Sequence, residues 1–243
     1  MLKLSRVSYN FGSHWTLQDI SFSLEKGDFL FLTGHSGAGK TTLLRLLHAA
    51  LPLKRGEAKV AGFELKRLPT NKIPMLRRQV SVVFQDFKIL PNRSIFDNVA
   101  VALEVRGMPQ QSIGRRVRAV LRSLDLEHKS SIPCRELSGG EQQRVAICRA
   151  IVVNPQVLLA DEPTGNLDFN LSCKIMALLG QFHAFGTTII MATHNLALME
   201  MQPDAKIIKL DAGRLVEANW AGAQTTNATS NYEGMLASHA FGR

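Results

Sequence analysis

The sequence predicts an α/β fold whose core is a mostly parallel β-sheet. Five short apolar segments read as strands, and several are apolar throughout, as is typical of strands covered on both faces. Segments with helical periodicity alternate with them, which favours parallel strands joined through helices. The predicted strands are Phe29–Thr33, Val80–Phe84, Val157–Ala160, Thr188–Ala192 and Ile207–Leu210, and the predicted helices include Thr41–Leu51, Gly139–Val153 and Leu171–Phe182.

Three stretches depart from this alternation. Leu2–Leu24 reads as two or three short strands and is expected to form an antiparallel β subdomain. Residues 87–149 are mostly helical in pattern, so we expect a helical subdomain inserted between core segments 1–86 and 150–218. Because the pattern fades near its end, the chain is predicted to form one domain over residues 1–218, followed by a flexible tail over residues 219–243.

The composition is that of an ordinary globular protein. Hydrophobic residues make up 45% of the 243 residues and charged residues 20%. The three cysteines are too widely spaced for a metal site or a disulfide framework, which favours a reducing, cytoplasmic environment. No apolar run is long enough for a signal peptide or a membrane span, so we expect a soluble chain.

The formal net charge is +9, and part of it is concentrated in one segment. Apolar residues repeat with helical spacing between Ile113 and Leu124, and four arginines occupy the positions between them. This pattern indicates an amphipathic helix whose basic face is either solvated or turned toward anionic lipid headgroups. The arginines are Arg115, Arg116, Arg118 and Arg122.

A glycine-rich segment follows the predicted strand Phe29–Thr33 and opens the predicted helix Thr41–Leu51. The glycines allow successive N–H groups to point at phosphate oxygens, and the helix start adds a partial positive charge. Lys40 would reach the β- and γ-phosphates of a nucleotide, and the Thr41 hydroxyl would bind Mg²⁺. The spacing predicts a phosphate loop formed by Gly34, His35, Ser36, Gly37, Ala38, Gly39, Lys40 and Thr41, with Thr42 next.

Two carboxylates follow the buried strand Val157–Ala160. Ligands of open α/β sheets bind at the carboxyl ends of the strands, which is where Asp161 and Glu162 are expected. Asp161 suits Mg²⁺ bound through water, and Glu162 is placed to polarise an attacking water molecule. The pair predicts the catalytic end of a nucleotide-hydrolysing site.

The segment Leu137–Arg144 predicts a helix start of unusual composition. Ser138 as N-cap with Glu141 three residues later forms a capping box. Gly139 and Gly140 are poor helix formers in the first turn. They are explained if exposed N–H groups must approach an anion closely.

With these elements in this order, the chain resembles the ABC family of ATPases up to about residue 216. Leu137–Arg144 is similar to the family's signature segment. The family's adenine-stacking aromatic, Q-loop glutamine, D-loop aspartate and switch histidine correspond to Phe11, Gln85, Asp168 and His194. Tyr9 lies two positions before Phe11 and is an alternative for the aromatic residue that stacks on adenine.

The resemblance implies that two copies of the chain sandwich ATP, so that the signature segment of one completes the phosphate site of the other. The implied catalytic residues are Glu162, His194, Lys40 and Gln85, and the implied Mg²⁺ ligands are Thr41, Gln85 and Asp161. The implied ATP contacts are the phosphate loop with Thr42, together with Phe11, Gln85, Ser138, Gly139, Gly140, Glu141 and Asp168.

Within the family, Thr33–Lys40, Phe84–Lys88, Leu137–Val145 and Leu158–Asp168 resemble the bacterial cell-division ATPases. That resemblance implies an integral membrane partner, contact with division proteins, regulation of peptidoglycan hydrolysis, and a peripheral position on the cytoplasmic face of the inner membrane at the septum. ATPases of lipoprotein-release or macrolide exporters remain the alternative. DNA-acting ABC ATPases need coiled-coil arms, and because no sustained heptad pattern occurs, no nucleic-acid partner is expected.

Overall fold

The computed structural model describes residues 1–165 and 167–225. The strands are β1 (Leu2–Phe11), β2 (His14–Leu24), β3 (Phe29–Thr33), β4 (Arg55–Val60), β5 (Phe63–Glu64), β6 (Val80–Val83), β7 (Val157–Asp161), β8 (Thr188–Ala192), β9 (Lys206–Asp211), β10 (Arg214–Ala218) and β11 (Ala223–Gln224). The helices are α1 (Lys40–Leu47), α2 (Ile73–Gln79), α3 (Ile95–Glu104), α4 (Gln110–Ser123), α5 (Gly139–Ile151), α6 (Phe169–Ala184) and α7 (Leu196–Met199).

A six-stranded sheet in the order β10-β9-β3-β8-β7-β6 forms the centre of the molecule. All of its neighbouring strands are parallel except β10, which pairs with β9 as an antiparallel edge. Every residue of β7 and β8 is buried, because helices and the second sheet cover both faces. The predicted parallel α/β core is confirmed, and its carboxyl ends form one continuous edge.

The second sheet is antiparallel and has the order β11-β2-β1-β4-β5. Strands β1 and β2 are longer than the predicted short strands, with 10 and 11 residues. Register shifts interrupt their pairing, and they coincide with left-handed backbone at Arg6 and Asp19. These irregularities interrupt the alternation of apolar and polar residues, although each strand continues beyond them. The predicted antiparallel β subdomain is confirmed, and β4, β5 and β11 complete it.

The short strand β11 extends the folded region past residue 218. Ala223 and Gln224 pair with Phe22 and Ser21 of β2. The Asn219 side chain accepts a hydrogen bond from the backbone of Ile207 at 2.8 Å. The boundary expected at residue 218 is therefore too early. Residues 226–243, which make up the rest of the predicted tail, lie outside the described part of the chain.

Helices α3, α4 and α5 follow β6 in the chain and precede β7, and they pack against one another. Ile113, Val117 and Leu121 of α4 are buried against this helical layer. The four arginines of the same helix are exposed, so the amphipathic interpretation is correct. Among the described residues, no helix is both long and apolar enough to cross a membrane.

Three predicted helices differ from the observed ones at their ends. Helix α1 stops at Leu47 rather than Leu51, because Ala49 adopts a left-handed backbone with φ 52°. Helix α6 starts earlier than predicted because the Asp168 side chain accepts a hydrogen bond from Leu171 N–H and acts as N-cap. Helix α5 ends at Ile151, two residues before the predicted Val153.

A buried asparagine on α3 holds the chain that leads from β6 into the helical layer. Asn98 is fully buried, and its Oδ1 accepts a hydrogen bond from Leu90 N–H at 2.7 Å. Its Nδ2 lies within hydrogen-bond distance of the carbonyl oxygens of Leu90, Arg93 and Ser94. The Asn98 side chain thus supplies the partner of the Leu90 N–H and adds a second hydrogen bond to carbonyl groups that backbone N–H groups already bind.

We predict that Asn98→Ala lowers the free energy of unfolding by about 2–3 kcal/mol, because it leaves the Leu90 N–H without its partner and removes the hydrogen bonds from Asn98 to the carbonyl oxygens of Leu90, Arg93 and Ser94. Urea unfolding followed by circular dichroism measures the change. Gln111→Ala on the exposed face of α4 is the matched control and should stay within about 0.5 kcal/mol of the wild type. Equal stability of the two variants would contradict the role assigned to Asn98.

Candidate active site

A cleft of about 650 Å³ opens at the carboxyl edge of the central sheet. Because β3, β7 and β8 are neighbours with parallel register, the loops that follow them converge on this edge. The cleft has a size typical of small-molecule sites. Its lining residues are Thr16, Gly34, His35, Ser36, Gly37, Gly39, Lys40, Thr41, Thr42, Gln85, Asp161, Glu162 and His194.

The loop between β3 and α1 depends on glycine at two close approaches. Gly34 has φ 136°, and a Cβ there would lie 2.3 Å from the carbonyl oxygen of Leu210. Gly39 has φ 105°, and a Cβ there would lie 2.8 Å from the carbonyl oxygen of Thr16. Any side chain at either position would move the loop. The tight curl therefore requires glycine at positions 34 and 39.

Lys40 lies at the first position of α1 and is almost fully buried. Its ammonium group donates to the carbonyl oxygens of Gly34 at 2.7 Å and His35 at 2.9 Å. These bonds use two of the three donors of the group. The charge is thereby held over the loop, beside the N-terminus of α1, where both favour an anion.

Thr41 and Asp161 meet beneath this loop. Burial raises the pKa of the Asp161 carboxyl above its ordinary value, and a hydrogen bond with Thr41 opposes that rise. The charge of the adjacent Glu162 raises the pKa further, whereas Lys40 lowers it. A desolvated carboxylate beside a hydroxyl is the kind of oxygen pair that Mg²⁺ binds together with substrate phosphates. The Gln85 side chain lines the same part of the cleft.

Glu162 follows β7 directly and has left-handed backbone with φ 48°, which is uncommon for a residue other than glycine. Its N–H donates to Ala192 of β8 at 3.1 Å. The Glu162 carboxylate lies 3.6 Å from Nδ1 of His194, whose side chain is 75% exposed. The two residues predicted to act together are therefore adjacent and both line the cleft.

The segment after β6 is held by an arginine from α5. Gln85 is exposed and lines the cleft, and the chain then turns through left-handed backbone at Phe87 and Lys88. The Arg149 guanidinium donates to the carbonyl oxygens of both residues at 2.8 Å. Helix α5 thus fixes the loop that carries Gln85.

Two aromatic residues of β1 differ sharply in exposure. Tyr9 is 5% exposed and Phe11 is 50% exposed, and their rings meet edge to face with centroids 5.0 Å apart. A stacking surface for a base must be accessible. The geometry therefore favours Phe11 over Tyr9 as the adenine platform.

The capping box at the start of α5 is present as predicted. Ser138 Oγ accepts from Glu141 N–H, and the Glu141 carboxylate accepts from Ser138 N–H at 2.9 Å. Lys129 Nζ donates to the other carboxylate oxygen at 2.6 Å. The hydrogen bond from Lys129, followed by that from Ser138 N–H, lowers the pKa of Glu141 to about 2. Glu141 therefore braces Ser138 and remains ionised at neutral pH.

Several predicted site residues do not line the cleft of their own chain. Ala38 is buried beneath the loop, and the Asp168 side chain caps α6. Phe11 lies on the neighbouring hairpin, and the signature residues Ser138, Gly139, Gly140 and Glu141 lie at the start of α5. The described chain therefore brings together the phosphate loop, Gln85, Asp161, Glu162 and His194, and leaves the signature segment on a separate surface.

Three residues that support this site belong to no recognisable sequence motif. The Thr16 backbone packs against Gly39 and lines the cleft. The Asp211 carboxylate lies 2.8 Å from Nε2 of His35 in the phosphate loop. Arg149 anchors the chain after Gln85. Thr16 contributes backbone atoms, and Arg149 binds the backbone of other residues. Asp211 lies more than 170 positions from His35, so no local motif indicates any of the three.

The sequence profile of the ABC transporter family matches residues 17–165. The cell division ATP-binding protein FtsE of Streptococcus pneumoniae is 47% identical over 200 residues, which cover 82% of this chain and 86% of that protein. FtsE of Escherichia coli (strain K12) is 42% identical over 216 residues, which cover 88% of this chain and 97% of that protein.

A solved dimeric structure of the ATP-binding cassette MJ0796, in a post-hydrolysis state bound to ADP and Pi, is similar with a TM-score of 0.83. It is 30% identical, and the match covers 90% of this chain and 97% of that chain. These similarities confirm the predicted fold and the resemblance to ABC ATPases, and they favour cell division over export. The chain belongs to the ABC transporter family as an ATP-hydrolysing cassette, and within it to the FtsE group of cell-division ATP-binding proteins.

Proposed function

We propose that the chain is the ATPase subunit of an FtsE–FtsX-type complex, in which ATP-driven closure of a homodimer acts on a membrane partner. The observation that carries this proposal is the convergence of Lys40, Asp161 and Glu162 on one cleft, with the signature segment outside it. A chain that holds half of a site gains the other half from a second copy. The dimeric cassette MJ0796 supports this arrangement.

In the proposed site, the loop N–H groups, the start of α1 and Lys40 bind the phosphates of ATP. Gln85, Thr41 and Asp161 supply an amide, a hydroxyl and a carboxylate, a donor set that fits Mg²⁺. The metal ion would neutralise charge that develops on the phosphate oxygens. Phe11 provides the stacking surface for adenine.

Hydrolysis depends on Glu162 and His194. Glu162 accepts a proton from the attacking water, and the left-handed backbone directs its side chain into the cleft. The His194 imidazole lies beside that carboxylate and orients it toward the phosphate end of the cleft. Gln85 completes this end of the site.

ATP stabilises the closed form of the dimer. Ser138, Gly139 and Gly140 of one copy approach the γ-phosphate held by the other, and Glu141 and Asp168 lie next to this interface. Because ATP contacts both copies only in the closed state, it shifts the population toward closure, and hydrolysis reverses the shift.

The ATPase cycle transmits movement to a membrane partner. We place the chain peripherally on the cytoplasmic face of the inner membrane at the division septum, where an FtsX-type integral membrane protein docks near Gln85 and the helical layer. Closure of the dimer moves this partner and regulates peptidoglycan hydrolysis, together with other division proteins. The likeness to FtsE proteins supports this output.

The variant Glu162→Gln tests the catalytic base. We expect MgATP binding to persist and hydrolysis to fall roughly 100-fold or more, since an amide cannot accept the proton. The trapped protein should elute as a dimer in MgATP and as a monomer without nucleotide. Phosphate release and size-exclusion chromatography measure both effects, and Glu104→Gln on the exposed side of α3 is the control. Full turnover of Glu162→Gln would remove this residue from its role.

The variant Lys40→Ala separates binding from chemistry. Loss of a charged hydrogen-bond donor should weaken ATP affinity by roughly 10- to 100-fold. Titration with a fluorescent ATP analogue gives the dissociation constant. Lys66→Ala removes an exposed lysine of the same chain and should leave affinity unchanged. Equal affinities for the two variants would contradict the phosphate role of Lys40.

Copurification tests the proposed partner. Tagged Glu162→Gln chain is trapped with MgATP in gently solubilised membranes of the native host, and mass spectrometry identifies the proteins retained. We expect an FtsX-type membrane protein together with division proteins. Recovery of lipoprotein-release or efflux components instead would assign the chain to export and leave the ATPase chemistry in place.

A further inference from the structure

A buried glutamine connects α5 to the backbone of the predicted catalytic base. Gln143 lies on α5, five positions after Ser138, and is 2% exposed. Its Nε2 donates to the carbonyl oxygen of Glu162 at 3.2 Å. Within the part of the chain that the structure describes, no other side chain forms a hydrogen bond with the backbone of Glu162.

The backbone at Glu162 needs such support. Left-handed conformation costs roughly 1–2 kcal/mol for a residue with a Cβ. Three hydrogen bonds hold it here: Glu162 N–H donates to Ala192, and the carbonyl oxygen accepts from Gly165 N–H at 3.1 Å and from Gln143. Because the side chain leaves from this backbone, a change in φ redirects the carboxylate relative to the cleft.

The amide of Gln143 has opposing effects on stability. Its Oε1 is buried and has no hydrogen-bond partner among the residues that the structure describes, which is unfavourable. The Glu162 carbonyl would keep its bond from Gly165 if Gln143 were apolar. An unbranched apolar side chain would remove this oxygen together with the hydrogen bond to Glu162, so the two effects on stability oppose each other and the amide chiefly holds the Glu162 backbone.

We propose that Gln143 is a positioning residue for Glu162 of its own subunit, and that it links the signature segment to that carboxylate. Helix α5 begins at the signature and reaches Gln143 within two turns. Contact of the signature with the partner's ATP is thereby transmitted to the base that acts on the subunit's own ATP. This inference rests on the proposed roles of Glu162 and of the signature segment.

The first test is Gln143→Met, which keeps an unbranched side chain of similar length and removes the amide. We expect kcat to fall roughly tenfold, because the base is less well oriented. KM for ATP should stay within about twofold, and the urea midpoint should not decrease. Ile147→Met, one turn farther along α5 and equally buried, is the control and should keep both kcat and KM.

The second test asks on which subunit Gln143 acts. An active chain is mixed with a tenfold excess of Glu162→Gln chain, so that active sites arise almost only in mixed dimers and contain the Glu162 of the active chain. Gln143→Met is placed either in the active chain or in the excess chain. We expect slow single-turnover phosphate release only when it lies in the active chain.

The possible outcomes are distinct. Loss of rate when Gln143→Met lies in the excess chain would mean that it acts through the signature across the interface, which overturns the proposal. Unchanged kcat in Gln143→Met, with Glu162→Gln inactive, would also overturn it and would leave the proposed function intact. Full activity of Glu162→Gln would overturn the proposed base itself.

Discussion

The parallel register of β3, β8 and β7 is the constraint on which the site depends. It places the residues after three neighbouring strands at one edge, where Lys40, Glu162 and His194 share a single cleft. Apart from Thr33, Asp161 and Thr188, the residues of these strands are apolar and buried, so burial of both faces stabilises the sheet. The residues of the cleft therefore lie at the edge of a well-packed apolar core, which holds them in place.

Helix α5 is the second organising element. Its first turn carries Ser138, its middle contacts the carbonyl oxygen of Glu162 through Gln143, and its last turn holds the loop after Gln85 through Arg149. One element thus carries the segment after Ser138 and contacts the backbone of Glu162 and of the loop after Gln85.

Much of this molecule could be predicted from sequence, because the signals are local. Apolar runs identify the central strands, and the glycines around Lys40 identify a loop that excludes Cβ atoms. The capping box of Ser138 and Glu141 is also local and correctly predicted. For these features, the residues that form the structure are the same residues that signal it.

The features that were missed depend on contacts distant in sequence or on backbone atoms. Strand β11 is only two residues long and forms by pairing with β2, which lies about 200 positions earlier. Gln143 donates to one backbone carbonyl oxygen and Arg149 donates to two. Because every residue has a backbone carbonyl group, the sequence does not indicate which one such a side chain will bind. Helix α1 is shorter than its apolar pattern because a left-handed residue follows it.

In the proposed function, one chain contains only half of a working ATP site. A crystal structure of the Glu162→Gln protein with MgATP tests it most directly. We expect two copies, with Ser138, Gly139 and Gly140 of one within hydrogen-bond distance of the γ-phosphate held by Lys40 of the other. A monomer with ATP enclosed by its own residues, or a dimer whose signature segments contact no nucleotide, would contradict it.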